Sequence, residues 1–83
     1  MYKYTTQGTC SKEIYFEVDE NNLLRNVNFV GGCKGNLQGV CRLVEGRHID
    51  EVETLLQGIC CRGNTSCPDQ LSKAISKYKA DNL

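Results

Sequence analysis

At 83 residues, with ten basic and ten acidic side chains, the chain has room for one domain with a thin core, the size class that metals, disulfides or partner surfaces often reinforce. Its charges are scattered instead of gathered into runs, which argues against a dedicated nucleic-acid or anionic-membrane surface. The opening MYKYTTQGTC lacks the apolar core of a secretion signal, and no stretch approaches the roughly 18 apolar residues of a membrane span, so a cytoplasmic protein with neither nucleic-acid nor membrane partners is expected.

In chain order, YKYTT is rich in aromatic and β-branched residues and is read as a possible edge strand. EIYFEV, from Glu13 to Val18, alternates strictly, with Ile14, Phe16 and Val18 on one face and Glu13, Tyr15 and Glu17 on the other. DENN is a turn, and LLRNVNFV is a second strand with Val27 and Phe29 on a common face. After GGCKG the period changes. Leu37, Val40, Cys41 and Val44 mark one face of a helix that ends near Gly46. His48 is the cap position of a second helix, with Glu51 three residues on, a stripe of Ile49, Val52, Leu56 and Ile59, and an end at Gly58. The third helix starts in NTSCPDQL and runs to the C-terminus, burying Leu71, Ala74, Ile75 and Tyr78, with Lys73, Lys77 and Lys79 complementing its dipole. Strands first and helices afterwards predict a single α+β domain over residues 1–83, a small antiparallel sheet covered on one face by three helices.

The hairpin register bears on the cysteines. A two-residue loop at Asn21 and Asn22 sets Phe16 opposite Val27, Ile14 opposite Phe29 and Cys10 opposite Cys33, since Asn tolerates the positive φ of such a turn. Opposed residues have Cβ atoms about 4.5–5.5 Å apart, and Cys10 shares the parity of Ile14 and Phe16, so both thiols are expected on the helix-covered side. A four-residue DENN loop shifts the pairing by two and keeps that direction. Cys67 is expected at the start of the third helix, either as N-cap with Pro68 at N1, or just after Ser66 as N-cap with Asp69 at N3. Unpaired N–H groups there favour thiolate, the form that ligates metals.

Six cysteines in a reducing compartment serve metal binding or thiol chemistry more readily than a disulfide framework. Cys41 lies in an apolar helical stripe and reads as core. Adjacent Cys60 and Cys61 are compatible with redox chemistry, although one packed and one exposed side chain is the commoner outcome. In GGCKGN, the N–H groups around Gly32 and Gly35 are a candidate cradle for a phosphate or a cluster-bound anion. The run lacks the phosphate-loop pattern, and a tight turn beside Cys33 accounts for its glycines better. His48, the only histidine, is read as a helix cap, and no Ser-His-Asp or paired-carboxylate arrangement is visible.

TSCPDQL, with CSKEI and GGCKGNLQGVCRLVEG, resembles the TSCPD domain family, named for the five residues Thr65 to Asp69. The resemblance covers nearly the whole chain. It implies a small bacterial protein of a kind also found at the C-terminal end of cobalamin-dependent ribonucleotide reductases, and so a link to ribonucleotide reduction and DNA synthesis. A chain this short lacks the large barrel of a complete reductase, so the implied role is auxiliary. The order of strands, cysteine-glycine turn, helices and a cysteine opening the last helix is also similar to iron–sulfur scaffold proteins of the IscU and NifU type. Their three cysteines map onto Cys10, Cys33 and Cys67, although Lys12 and Ser66 stand where that family has an acid and a histidine. The resemblance implies a zinc or iron–sulfur site. Three thiolates and one further ligand make an ordinary structural zinc set, with Cys61 or Asp69 as the fourth; Asp69 also suits the first helical turn as a plain favourable charge. The partner expected is a ribonucleotide reductase or an iron–sulfur assembly protein. A thiol redox module using Cys60, Cys61 or Cys67, and an interaction domain with structural cysteines, are the alternatives.

Overall fold

The computed structural model describes residues 1–9, 11–32, 34–60 and 64–82. Three strands, β1 (Tyr2–Thr5), β2 (Ser11–Val18) and β3 (Leu24–Gly31), precede three helices, α1 (Lys34–Val44), α2 (Ile49–Leu56) and α3 (Cys67–Asp81). The strands form one antiparallel sheet in the order β1-β2-β3. The chain is therefore α+β, as the switch from a two-residue to a helical period predicts, and the edge strand expected in YKYTT is β1.

The hairpin between β2 and β3 departs from the expected loop. The Asp19 N–H donates to the Leu23 carbonyl and the Asn22 N–H to the Asp19 carbonyl, both at 3.0 Å. The loop is thus Glu20 to Asn22, with Asn22 at φ 62°, a three-residue turn closed by one left-handed residue. Its cause is the Asp19 carboxylate, which accepts from the Asn21 and Leu23 N–H groups at 2.9 Å each and so holds the turn from inside.

Register follows the expected pairing at Ile14–Phe29 and Tyr15–Asn28, then shifts, so that Glu17 pairs with Arg25 and Val18 with Leu24. Phe16 falls at the shift instead of in a regular pair with Val27. Asn26, at φ 56°, absorbs the shift, and its N–H donates to Glu45 Oε1 at 2.9 Å. This irregularity lets both Leu24 and Val27 be buried; in a regular strand, positions three apart face opposite sides. A second shift lies between Ser11 and Glu13. It brings Ser11 inward at 3 % exposure and ends the strand parity on which the expected direction of Cys10 rested. Cys10 and Cys33 themselves lie outside the described residues.

The core gathers Ile14 and Phe16 of β2, Leu24 and Val27 of β3, Val44 of α1, Ile49 and Val52 of α2, and Leu71, Ala74 and Ile75 of α3. The helical stripes are thus the ones the periodicity marks, with Val40, Cys41, Leu56 and Tyr78 packed at the margin. His48 caps α2, its Nδ1 accepting the Asp50 N–H at 3.1 Å. The expected extension of that stripe to Ile59 does not occur. α2 stops at Leu56, the extended backbone of Gln57 and Gly58 at φ 83° turn the chain away, and Ile59 is 43 % exposed. Among the described residues no helix is long and apolar enough to cross a membrane.

Candidate functional site

Opposite the loop of the hairpin, the sheet meets the first turn of α3 and the packing becomes polar. Thr6, Ser11, Ser66, Cys67, Asp69 and Gln70 are all buried there. Ser66 is the N-cap of α3, accepting the Asp69 N–H at 3.2 Å, so of the two cap positions the sequence allows, the one with Asp69 at N3 is adopted and Pro68 follows within the first turn. Cys67 is 7 % exposed, and its Sγ lies 3.2 Å from Ser11 Oγ. Ser11 is the residue after Cys10. Its carbonyl accepts from the Thr6 hydroxyl at 2.6 Å and the Thr9 hydroxyl at 3.2 Å, which fixes the start of β2 against the β1–β2 connection.

Gly32, the residue before Cys33, closes on the same spot. Its φ is 82°, and a Cβ built there would stand 2.8 Å from Leu37 Cδ1 and 3.3 Å from the Ser11 nitrogen. Only glycine suits this approach, so the tight-turn reading of the GG pair holds, with Gly31 also at positive φ. Gly35, the second candidate of the anion cradle, lies in the first turn of α1 with open space over its Cα.

Asp69 is 2 % exposed and occupied on both oxygens. Oδ1 accepts the Gly58 N–H at 2.7 Å; Oδ2 accepts the Thr65 hydroxyl at 2.6 Å and lies 3.3 Å from the Lys73 ammonium. The Thr65 hydroxyl, the Gly58 N–H and Lys73 hold its carboxyl below the usual aspartate range, against the opposing effect of burial. Gln70 extends this set: its Oε1 accepts the Gln7 N–H at 3.1 Å and its Nε2 donates to Thr65 Oγ1 at 2.9 Å. Ser66 Oγ donates to the Ile59 carbonyl at 2.5 Å. The sequence pointed to Cys67 and Asp69 but missed Ser11, Thr65 and Gln70. The S-x-x-D pattern and the run of Thr and Ser around the cysteines carried part of that signal.

The other cysteines separate by environment. Cys41 lines a groove between β3 and α1 with Val27, Phe29 and Leu37, and burial pushes its thiol pKa up, consistent with packing. Cys60 is exposed, its thiol 3.5 Å from the Gly58 carbonyl. Cys61 lies outside the described residues. His48 stays at the start of α2 as a cap. Among the described residues no group of three or more His, Cys, Asp or Glu is placed to hold a metal ion.

The architecture defines a small α+β domain with a polar, cysteine-bearing end built on the first turn of its last helix. The TSCPD domain model matches residues 2–79, and the chain belongs to the TSCPD domain family. No curated protein and no solved structure matched. The expected likeness to iron–sulfur scaffold proteins is not shown by these comparisons.

Proposed function

We propose that this protein is a small metal-binding accessory domain, with Cys10, Cys33 and Cys67 as ligands and zinc or an iron–sulfur cluster as occupant. The observation that supports this is the meeting of three segments: Ser11, which follows Cys10, touches the thiol of Cys67 at 3.2 Å, and Gly32, which precedes Cys33, closes on the Ser11 backbone. The donor chemistry fits, because three thiolates are an ordinary set for zinc or a cluster. Helix N-termini favour thiolate, and hydroxyls such as that of Ser11 are suited to donate to it. Asp69 already serves two stems of the chain, which leaves Cys61 the better candidate for a fourth ligand.

A bound zinc would supply a crosslink between the sheet end, the strand–helix turn and α3, and a cluster would add electron transfer. The chain's own part, as described, is to hold the Cys67 thiol at the buried start of α3, shielded from water and beside the Ser11 hydroxyl. Through the family, the process served is ribonucleotide reduction, with a reductase or an iron–sulfur assembly protein as partner.

Metal analysis of protein prepared without oxygen, with thiol titration before and after chelation, tests the reading. Bound metal in stoichiometric amount is expected, with three or more thiols protected until the chelator is added. Cys67→Ser should lose the metal. Metal-free protein that takes up neither zinc nor iron, and whose thiols titrate alike in both conditions, would overturn it.

A further inference from the structure

We infer that Asp69 is a positioning residue and not a metal ligand: with Thr65 and Gln70 it forms a directional hydrogen-bond chain that fixes two segments against the first turn of α3. The polarity of the chain is set at one end by the Gln7 N–H, which can only donate, and at the other by the Asp69 carboxylate, which can only accept. At one end the Gln7 N–H requires Oε1 of Gln70 as acceptor, so the amide turns its Nε2 to Thr65 Oγ1. That hydroxyl, having accepted, gives its own proton to Asp69 Oδ2. At the other end the Gly58 N–H donates to Oδ1. The Thr65 hydroxyl also lies 3.5 Å from the Ser66 carbonyl and Oδ2 also faces the Lys73 ammonium at 3.3 Å, but the 2.6 Å contact with Asp69 is the short one, and both carboxylate oxygens accept.

Gln7 belongs to the connection that leads into Cys10, and Gly58 opens the segment that carries Cys60 and Cys61. Asp69 and Thr65 therefore join the stems of that segment, while Ser66 holds the Ile59 carbonyl from the neighbouring position. Cys67 sits inside this frame, between the residues that build it. A metal recruited to this carboxylate would compete with the three donors already seated on its two oxygens, and displacing the Gly58 N–H or the Thr65 hydroxyl would undo the frame. The consequence for metal binding rests on the proposed cysteine site; the frame itself does not.

Two measurements separate the two. In metal-free protein, amide hydrogen exchange of Gly58 should be faster by about tenfold or more in Asp69→Asn and Thr65→Val than in wild type, with the interior amides of α3 little changed, and Thr65→Ser, which keeps the hydroxyl, should behave as wild type. Unchanged Gly58 exchange in both variants would overturn the inference whether or not metal binds. With zinc as probe, Asp69→Asn and Thr65→Val should keep the stoichiometry and weaken affinity by about tenfold or more, as residues that orient ligands do, with Thr65→Ser again as wild type. A core variant of matched stability, Ile75→Val, should leave affinity unchanged. Loss of stoichiometry in Asp69→Asn with normal binding by Thr65→Val would make Asp69 a ligand and refute its positioning role. Failure of wild type to bind zinc would remove the metal reading and leave the frame to be judged on exchange.

Discussion

The charge on Asp69 has a consequence for acid stability. Its carboxyl titrates below the ordinary value near 3.8 because Thr65, Gly58 and Lys73 favour the ionised form. In the interval between the folded and unfolded pKa the unfolded chain binds more protons, so stability rises with pH across it. The contribution is full above the unfolded value and is lost as pH falls through the folded one. Urea unfolding at pH 7 and near pH 3 should show wild type losing more stability on acidification than Asp69→Asn, although Asp19, Glu53 and Asp81 are also depressed and keep some slope in the variant. Equal losses in the two proteins would show that folding does not lower the Asp69 pKa. Gly32 offers a second test at this scale. With its positive φ and a Cβ position against Leu37 and Ser11, Gly32→Ala should cost about 1–3 kcal/mol in denaturant titration.

Within elements, the expected effects follow backbone geometry. Gly39 lies inside α1 with nothing within 4 Å of a built Cβ, so Gly39→Ala should stabilise the protein by about 0.5–1 kcal/mol, read as a raised urea midpoint. The opposite holds at Asn26, where the left-handed residue of β3 re-phases the strand so that Leu24 and Val27 both reach the core. A β-branched side chain is strained at that φ. Asn26→Val should lose about 1–3 kcal/mol despite the higher strand propensity of valine. The same residue protects the edge of the sheet. The Asn26 N–H is taken by Glu45, and the Leu24 N–H and carbonyl by Arg47 and Gly46 at 2.8 Å each, which leaves less of β3 to template another strand.

At the scale of the molecule, one core and one aromatic clasp hold the ends together. Ile75 is fully buried beside Ile14, Phe16 and Leu71, and Ile75→Ala should cost about 2–5 kcal/mol, a large share of what a domain this size has. The cost is read from chemical denaturation. Tyr2 packs on Phe16 and Tyr78 with ring centroids 5.3 and 5.4 Å away, and its hydroxyl donates to Asp81 at 2.8 Å. Burial and that carboxylate push its pKa up to about 12. The first strand is thereby fastened to the end of the last helix. Between α2 and α3, Lys79 binds both Glu53 and Asp50, and Ser76 donates to Glu53.

The order of elements, the hairpin, the helical faces, the His48 cap and the start of α3 to within a residue were legible in the sequence because each depends on neighbours a few residues away. Alternation marked Ile14 and Phe16, the helical period marked Val44, Val52, Leu71 and Ile75, and S-x-x-D marked the start of α3. Two register shifts and the early end of α2 were not legible. A strand shift is decided by what its residues meet across the sheet, such as Glu45 reaching the Asn26 N–H, and Ile59 leaves the helical stripe because Ser66 and Asp69 hold its segment elsewhere. The same division applies to the polar end. Residue type alone singled out Cys67 and Asp69, but that Asp69 accepts from Gly58 as well as from nearby Thr65, and that Ser11 lies against the Cys67 thiol, was decided by tertiary structure, because Gly58 and Ser11 are 11 and 56 residues away along the chain and meet the first turn of α3 only when the loop and the sheet pack against it.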